Sequence, residues 1–127
     1  MKTKSKKAKV IQWFVQPEEH DYPASVSYLS LLMEPTDARK ITDLLKKEKV
    51  VHFKAKDIFR ASKLSLLGIS NSHVEKNIKK INKGKKMSPL LLVRDKDNGK
   101  IIIADGYHRL CGVYHTDEDA LIPCKII

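Results

Sequence analysis

One junction restricts the fold more than any other feature of this chain. Ile101-Ile102-Ile103-Ala104 is an apolar, largely β-branched run that stops at Asp105-Gly106, and Tyr107 to His115 follows with Leu110, Val113 and Tyr114 at helical spacing. β-branched residues favour a buried strand, so a strand is predicted to turn directly into a helix. Upstream, Pro89 opens a second β-type run, Leu90 to Val93, separated from the first by Asp97-Asn98-Gly99. Asn-Gly between two apolar runs is the strongest short-range hairpin signal. After the helix, Asp117 to Ala120 reads as a loop and Ile122 to Ile127 as a closing strand.

The first half is mostly helical in pattern. Val10 to Gln16 is apolar and β-favouring, either a strand or a loop plugged into the core by Trp13 and Phe14. Asp21 offers an N-cap and Pro23 an early helical position for Ala24 to Met33, where Val26, Leu29 and Met33 recur at helical spacing. Pro35-Thr36 stops and restarts the chain. Ala38, Ile41, Leu44 and Leu45 then mark the apolar face of an amphipathic helix ending near Lys49. Val50 to Phe53 reads as a strand and Lys56 to Ala61 as a short turn or helix. Ser70 or Ser72 caps a further helix with the core stripe Val74, Ile78 and Ile81, which Gly84 ends. No repeat or low-complexity linker divides the 127 residues, so one α+β domain with a small mixed β-sheet is expected.

With 42% hydrophobic and 31% charged residues the chain has the composition of a globular domain. No apolar run approaches the roughly 20 residues of a membrane span, and no apolar signal core follows the basic Met1 to Lys9. Cys111 and Cys124 stand far apart without a second metal-type pair, so neither a disulfide framework nor a zinc site is expected and a cytoplasmic setting fits. His20, His52, His73 and His115 show no metal-ligand spacing. No Ser/His/Asp order, dinucleotide fingerprint or paired-carboxylate hydrolase pattern is present. The net charge of +10 suits a polyanionic partner, although a lysine-rich surface accounts for the same excess. The densest basic stretch holds Lys76, Lys79, Lys80, Lys83, Lys85 and Lys86, which is either an anion-binding surface or the solvated side of a helix.

The junction itself reads as an anion site. The first N–H groups of a helix lack intrahelical partners and the positive end of its dipole lies beside them. Gly106 permits a sharp turn and a close approach to the backbone. His108 and Arg109 add donors in the first turn, and a guanidinium can hold two phosphate oxygens at once. Asp105 could hold a metal, accept a proton from an attacking hydroxyl, or cap the helix. Tyr107 is a candidate for stacking on a base.

The stretch from Val50 to Ile127 resembles the ParB/sulfiredoxin-like fold family. The resemblance rests on Val50-Val51-His52-Phe53 with Asp57-Ile58, then Val74 to Gly84, Ser88-Pro89-Leu90-Leu91-Leu92-Val93, Ile101 to Arg109, and Ile122-Pro123-Cys124-Lys125-Ile126. It implies residues 50–127 as the family core, a helical extension over 10–49 and a basic flexible tail over 1–9, and it is similar to short bacterial proteins with the Asp-Gly-Tyr-His-Arg form of the motif. ParB-type partition proteins carry Gly-Glu-Arg-Arg and bind a cytidine nucleotide. Tyr107-His108 replaces Glu-Arg here, and with the sequence ending at Ile127 a DNA-reading domain is not expected. Sulfiredoxins carry Gly-Cys-His-Arg, and Tyr107 removes that nucleophile. Asp105, Gly106, His108 and Arg109 match the Asp-Gly-His-His-Arg form of free serine kinases, with Tyr107 in place of its first His and a further essential acid of that branch not located. In related folds the region after the first core strand faces the ligand, which adds Lys54, Lys56 and Arg60 as candidates.

Two readings follow. In the first, Gly106 to Arg109 cradle the phosphates of a small ligand or nucleotide, with or without Mg2+, and Asp105 acts as base in a phosphotransferase or nucleotide hydrolase. In the second, a non-catalytic DNA- or RNA-binding accessory protein grips a nucleic-acid backbone with the lysines of the tail and of Lys76 to Lys86.

Overall fold

Leu90 and Leu92 are buried in one apolar cluster while Leu91 and Val93, which alternate with them, are buried in another. Strand side chains alternate between faces, so this one strand requires cover on both sides. The computed structural model, which describes residues 10–127, supplies that cover from two layers of helix. The tail expected over residues 1–9 lies outside the described residues.

The elements are α1 (Asp21–Leu29), α2 (Pro35–Lys47), β1 (Val51–Lys54), α3 (Ala55–Ser62), α4 (Ser72–Asn82), β2 (Leu90–Asp95), β3 (Lys100–Asp105), α5 (Tyr107–Thr116) and β4 (Leu121–Ile126). Together these described residues form a small α+β protein of five α-helices and a four-stranded mixed sheet, in the order β1-β4-β2-β3. β1 pairs antiparallel with β4, β4 parallel with β2, and β2 antiparallel with β3. The β2–β3 hairpin closes where expected, through a short 3-10 turn at Lys96–Asn98 and Gly99 in the left-handed region at φ 61°.

One face of the sheet carries Leu90, Leu92, Ile103, Ile122 and Cys124 against Ala55, Ile58 and Phe59 of α3, Val74 and Ile81 of α4, and Leu110, Cys111 and Val113 of α5. The other carries Leu91, Val93 and Ala104 against Tyr22 and Leu29 of α1 and Ala38 and Leu45 of α2. The helical extension is therefore the second layer of the domain.

Several local expectations change. Asp21 is the first residue of α1 and not its N-cap, and its carboxylate is buried. α1 ends at Leu29, where Val26 O accepts both the amide of Ser30 at 2.9 Å and its hydroxyl at 2.7 Å. On α2 the buried stripe is Ala38, Thr42 and Leu45, while Leu44 is 48% exposed. Thr42 is accepted there because its hydroxyl meets that of Ser25 at 3.2 Å. Asn71, between the two serines proposed as caps, is the N-cap of α4 and accepts from the amides of His73 (3.0 Å) and Val74 (3.2 Å). Residues 10–20 form a loop with one bridge, Trp13 to Met87. Trp13 packs on the core whereas Phe14 is exposed.

Candidate functional site

The turn between β3 and α5 can be made only by glycine. Gly106 sits at φ +112°, and a Cβ there would lie 2.7 Å from Leu90 Cγ and 3.0 Å from an Arg109 Nη. No side chain caps α5, whose first intrahelical hydrogen bond runs from Leu110 N to Gly106 O at 2.9 Å. Among the described residues the amides of Tyr107, His108 and Arg109 have no acceptor. Three backbone donors and the positive end of the helix dipole thus meet at one point.

Arg109 does not point its guanidinium outward to grip a ligand, as the motif alone suggests. It donates to Asp105 Oδ2 at 3.0 Å and to Pro89 O at 3.3 Å, and stands 4.0 Å from Asp21 Oδ2. The side chain is 17% exposed, and its Nε is buried without a partner. It ties the end of β3 to the start of β2 and to α1. Burial raises the Asp105 pKa above the usual carboxylate range, an effect that the Arg109 cation opposes and the neighbouring Asp21 carboxylate reinforces. Asp21 also accepts from Glu18 N at 3.0 Å.

The start of α5 opens onto a cleft of about 270 Å³. Gly106 to Arg109 and Asp105 form one wall; His73, Lys76, Asn77 and Lys80 of α4 form another; Lys86, Met87, Ser88, Glu18 and His20 close it. The His108 and His73 rings lie 4.8 Å apart. Burial, and then the neighbouring His73, lower the His108 pKa. Glu18 accepts from the Ser88 hydroxyl at 2.8 Å and its side chain is 43% exposed. Tyr107 lines the cleft, but its hydroxyl is tethered to Ser65 O, and burial raises its pKa. Two turns further along the same helix, His115 Nε2 meets Leu67 O at 2.8 Å, so α5 holds the 64–70 loop at two points.

The structure thus gathers Asp105, Gly106, Tyr107, His108 and Arg109 with three of the six lysines, Lys76, Lys80 and Lys86. Lys79, Lys83 and Lys85 do not line the cleft, and Lys79 pairs instead with Glu75 at 4.0 Å. Lys54, Lys56 and Arg60 are not brought to it either. Lys56 bonds Asp119 at 2.7 Å, Arg60 stands 3.8 Å from Asp57, and both line a separate groove of about 600 Å³ beside α3. Lys54 lies exposed on β1, at the far edge of the sheet from β3.

Sequence reasoning missed Glu18, His20 and Asp21 as cleft or cleft-supporting residues. Residues 10–20 run beside Met87 and Ser88, through Phe14 N to Met87 O (2.8 Å) and Met87 N to Gln12 O (2.9 Å), and this pairing delivers them. A second missed signal is Gly112, whose added Cβ would sit 3.0 Å from Asn77 Cβ. The glycine lets α4 lie close on α5 and brings the α4 lysines beside the motif.

Among the described residues no three His, Cys, Asp or Glu side chains converge as metal ligands. Both cysteines are buried, with Cys111 raised by burial and Cys124 pushed up to about 12, so neither is a thiolate nucleophile. No helix among the described residues is long and apolar enough to cross a membrane. The class this geometry defines is a small α+β protein with a polar cleft at a strand–helix junction. No family model matches the chain, and no curated protein or solved structure matches it either.

Proposed function

We propose that this chain is a ParB/sulfiredoxin-like domain that binds a phosphate-bearing ligand, with a nucleotide as the leading class, at the start of α5. The observation that carries the reading is the set of unpartnered amides of Tyr107, His108 and Arg109 opening onto a cleft beside His108. Such an end holds a phosphate by backbone donors and dipole together. Arg109 acts from behind, orienting the turn through Asp105, and His108 is the side-chain donor that reaches the ligand.

Turnover as a phosphotransferase needs a base beside the acceptor hydroxyl. Asp105 is occupied by Arg109. Glu18 faces the cleft with only the Ser88 hydroxyl and the more distant His20 near its carboxylate, so it is the acid in this reading that takes the proton. No step here depends on a magnesium ion. Three of the six lysines, Lys76, Lys80 and Lys86, line this cleft beside the open amides, as the small-ligand reading requires.

The test is calorimetric titration with nucleotides, inorganic phosphate and sulfate, using wild-type protein, His108→Ala and Glu18→Gln. A nucleotide should bind the wild type more tightly than sulfate, and His108→Ala should weaken it roughly tenfold, the value of one charge-assisted hydrogen bond. Glu18→Gln should retain binding while abolishing any phosphate transfer. A nucleotide bound no better than sulfate, or bound equally by His108→Ala, would remove this reading.

A further inference from the structure

β3 lies at one rim of the sheet, paired with β2 on one side and with no strand on the other among the described residues. Its outward groups follow from the bonds that β2 makes elsewhere. Leu92 O accepts from Ile127 N at 3.2 Å and Arg94 N donates to Ile127 O at 2.7 Å, so Leu92 and Arg94 turn their backbone toward β4. Val93, between them, turns toward β3, where it pairs with Ile102. Successive residues of a strand direct their N–H and C=O to opposite sides, so Ile101 and Ile103 present theirs to the open edge. The register slips between Leu91 and Leu92 and leaves Ala104 without a partner, so the regular edge runs from Lys100 to Ile103. Ile101-Ile102-Ile103 holds neither the proline nor the internal charge that blunts an exposed edge. β1, at the other rim, carries His52 and Lys54.

A groove of about 510 Å³ follows this edge. Tyr28, Leu32 and Met33, in and just after α1, line one side, and Ser62 and Leu64, at the end of α3, line the other. The two sides belong to helical layers on opposite faces of the sheet, and one groove can touch both only beyond the last strand. Tyr28, Leu32 and Leu64 are 42%, 51% and 43% exposed, so the groove leaves clustered apolar surface in water. At its hairpin end stand Arg94 and Lys100, which have no carboxylate within 4.0 Å among the described residues. Asp95 beside them accepts from Asn98 Nδ2 at 2.9 Å. No residue of this groove lines the cleft at Gly106.

We propose that this edge takes up an extended segment of a partner protein as a fifth strand, a segment of apolar residues flanked by acidic ones. Backbone bonds to Ile101 and Ile103 hold it, and the rims choose it by its alternate side chains. Large apolar side chains of one parity lie against Tyr28, Leu32 and Met33, while the other parity meets Ser62 and Leu64. Carboxylates at the hairpin end meet Arg94 and Lys100. Charge decides between occupants. A second copy brings its own net charge of +10 against the first, which opposes association. Its β3 offers only Asp105 as an acid, and Arg109 already holds that carboxylate at 3.0 Å. An acidic segment meets two unpaired cations instead. The site is separate from the phosphate reading and stands without it.

The probe is a fluorescein-labelled peptide of about seven residues, an ordinary strand length, alternating isoleucine with threonine and ending in two glutamates. Anisotropy measures its binding to the full chain, and hydrogen exchange followed by NMR shows which amides it covers. The amides of Ile101 and Ile103 should exchange fast in the free protein and slowly in the complex. That of Ile102, bonded to Val93, should be slow in both. Replacing the glutamates by lysines should weaken binding roughly fivefold at low salt, the size of two solvent-screened ion pairs, and less at high salt. Arg94 and Lys100 are exposed, so Arg94→Glu/Lys100→Glu should fold and should prefer the lysine peptide. N-methylation of alternate peptide amides should abolish binding for one of the two sets of positions, a measurement that leaves the protein untouched. A probe that does not bind, or that binds without slowing Ile101 and Ile103, overturns the strand site. A concentration-dependent dimer in sedimentation that slows the same amides and excludes the probe makes the occupant a second copy, and the acidic segment falls.

Discussion

Two strands of this protein run straight into helices, and the two junctions are opposites. At β1–α3 the chain passes from Lys54 to Ala55 without a turn residue, and the first amides of α3 are consumed: Ala55 N donates to Ala120 O and Lys56 N to Glu118 O, both at 2.9 Å. Its cations are consumed as well, by Asp119 and Asp57. At β3–α5 a left-handed glycine makes the turn, the amides are open, and only Arg109 is neutralised. A basic residue after a strand therefore says little until the acceptors around it are counted. A closed junction serves the fold, and an open one is available to a ligand.

Arg109→Ala should show the largest effect. It removes the guanidinium that faces the Asp105 and Asp21 carboxylates, and breaking such a pair costs about 3–4 kcal/mol. Urea unfolding at neutral pH measures it, and the loss should shrink on acidification as Asp105, whose pKa burial already raises, takes up a proton. Arg60→Ala, at the closed junction and 87% exposed, should leave the melting temperature unchanged within error. Gly106→Ala comes next. The left-handed backbone costs a non-glycine residue about 1–2 kcal/mol, and the contact with Leu90 adds overpacking of similar size, for a total of about 2–4 kcal/mol in the same assay. A mild result would mean that the Gly106 turn relaxes easily and that its shape is not what holds the amides open.

Much of this contrast was present in the sequence, but not its sign. Ile101 to Asp105 followed by Gly106 announced a strand–helix turn, and Val50 to Phe53 announced the other. What decides between them comes from distant chain. The carbonyls that close α3 belong to the loop before β4, and Arg109, held by Asp105 of its own turn, is also drawn to Pro89 O and toward Asp21, which in local pattern is a helix cap. The split among the lysines depends on the rotation of α4, set by Val74 and Ile81 in the core and by Gly112 against Asn77. Leu90 to Val93, apolar at both parities, did carry the information that both faces of the sheet are covered. Nothing local said that α1 and α2 provide one of the covers.

The open junction should also be the more pH-sensitive one. Burial and His73 depress the His108 pKa, so the folded state favours neutral imidazole. A depressed base means that the unfolded chain binds the proton first, and stability is therefore lost as pH falls from the ordinary histidine range toward the lowered pKa. His108→Gln should remove that component, seen as a flatter melting temperature between about pH 7 and 5. A bound phosphate reverses the preference by stabilising imidazolium, so anion affinity should rise over the same interval in the wild type and not in the variant. If His108→Gln leaves the pH profile unchanged, His108 is not the titrating group of the cleft.

The smallest effect is expected at Lys56 and Arg60, and its smallness is the point. Asp119 holds Lys56 with a raised pKa through a direct hydrogen bond, and the pair is open to solvent, where ion pairs are screened and worth little. Removing both cations should change neither the melting temperature nor the affinity for inorganic phosphate, because their charge is already spent on Asp119 and Asp57. A Lys56→Ala/Arg60→Ala variant titrated beside Lys76→Ala/Lys80→Ala therefore separates two explanations of anion binding. If net charge alone attracts the anion, the two double variants lose affinity equally, since each removes two positive charges. If uncompensated charge beside open amides attracts it, only the α4 variant does, and the two junctions differ in function as they differ in hydrogen bonding.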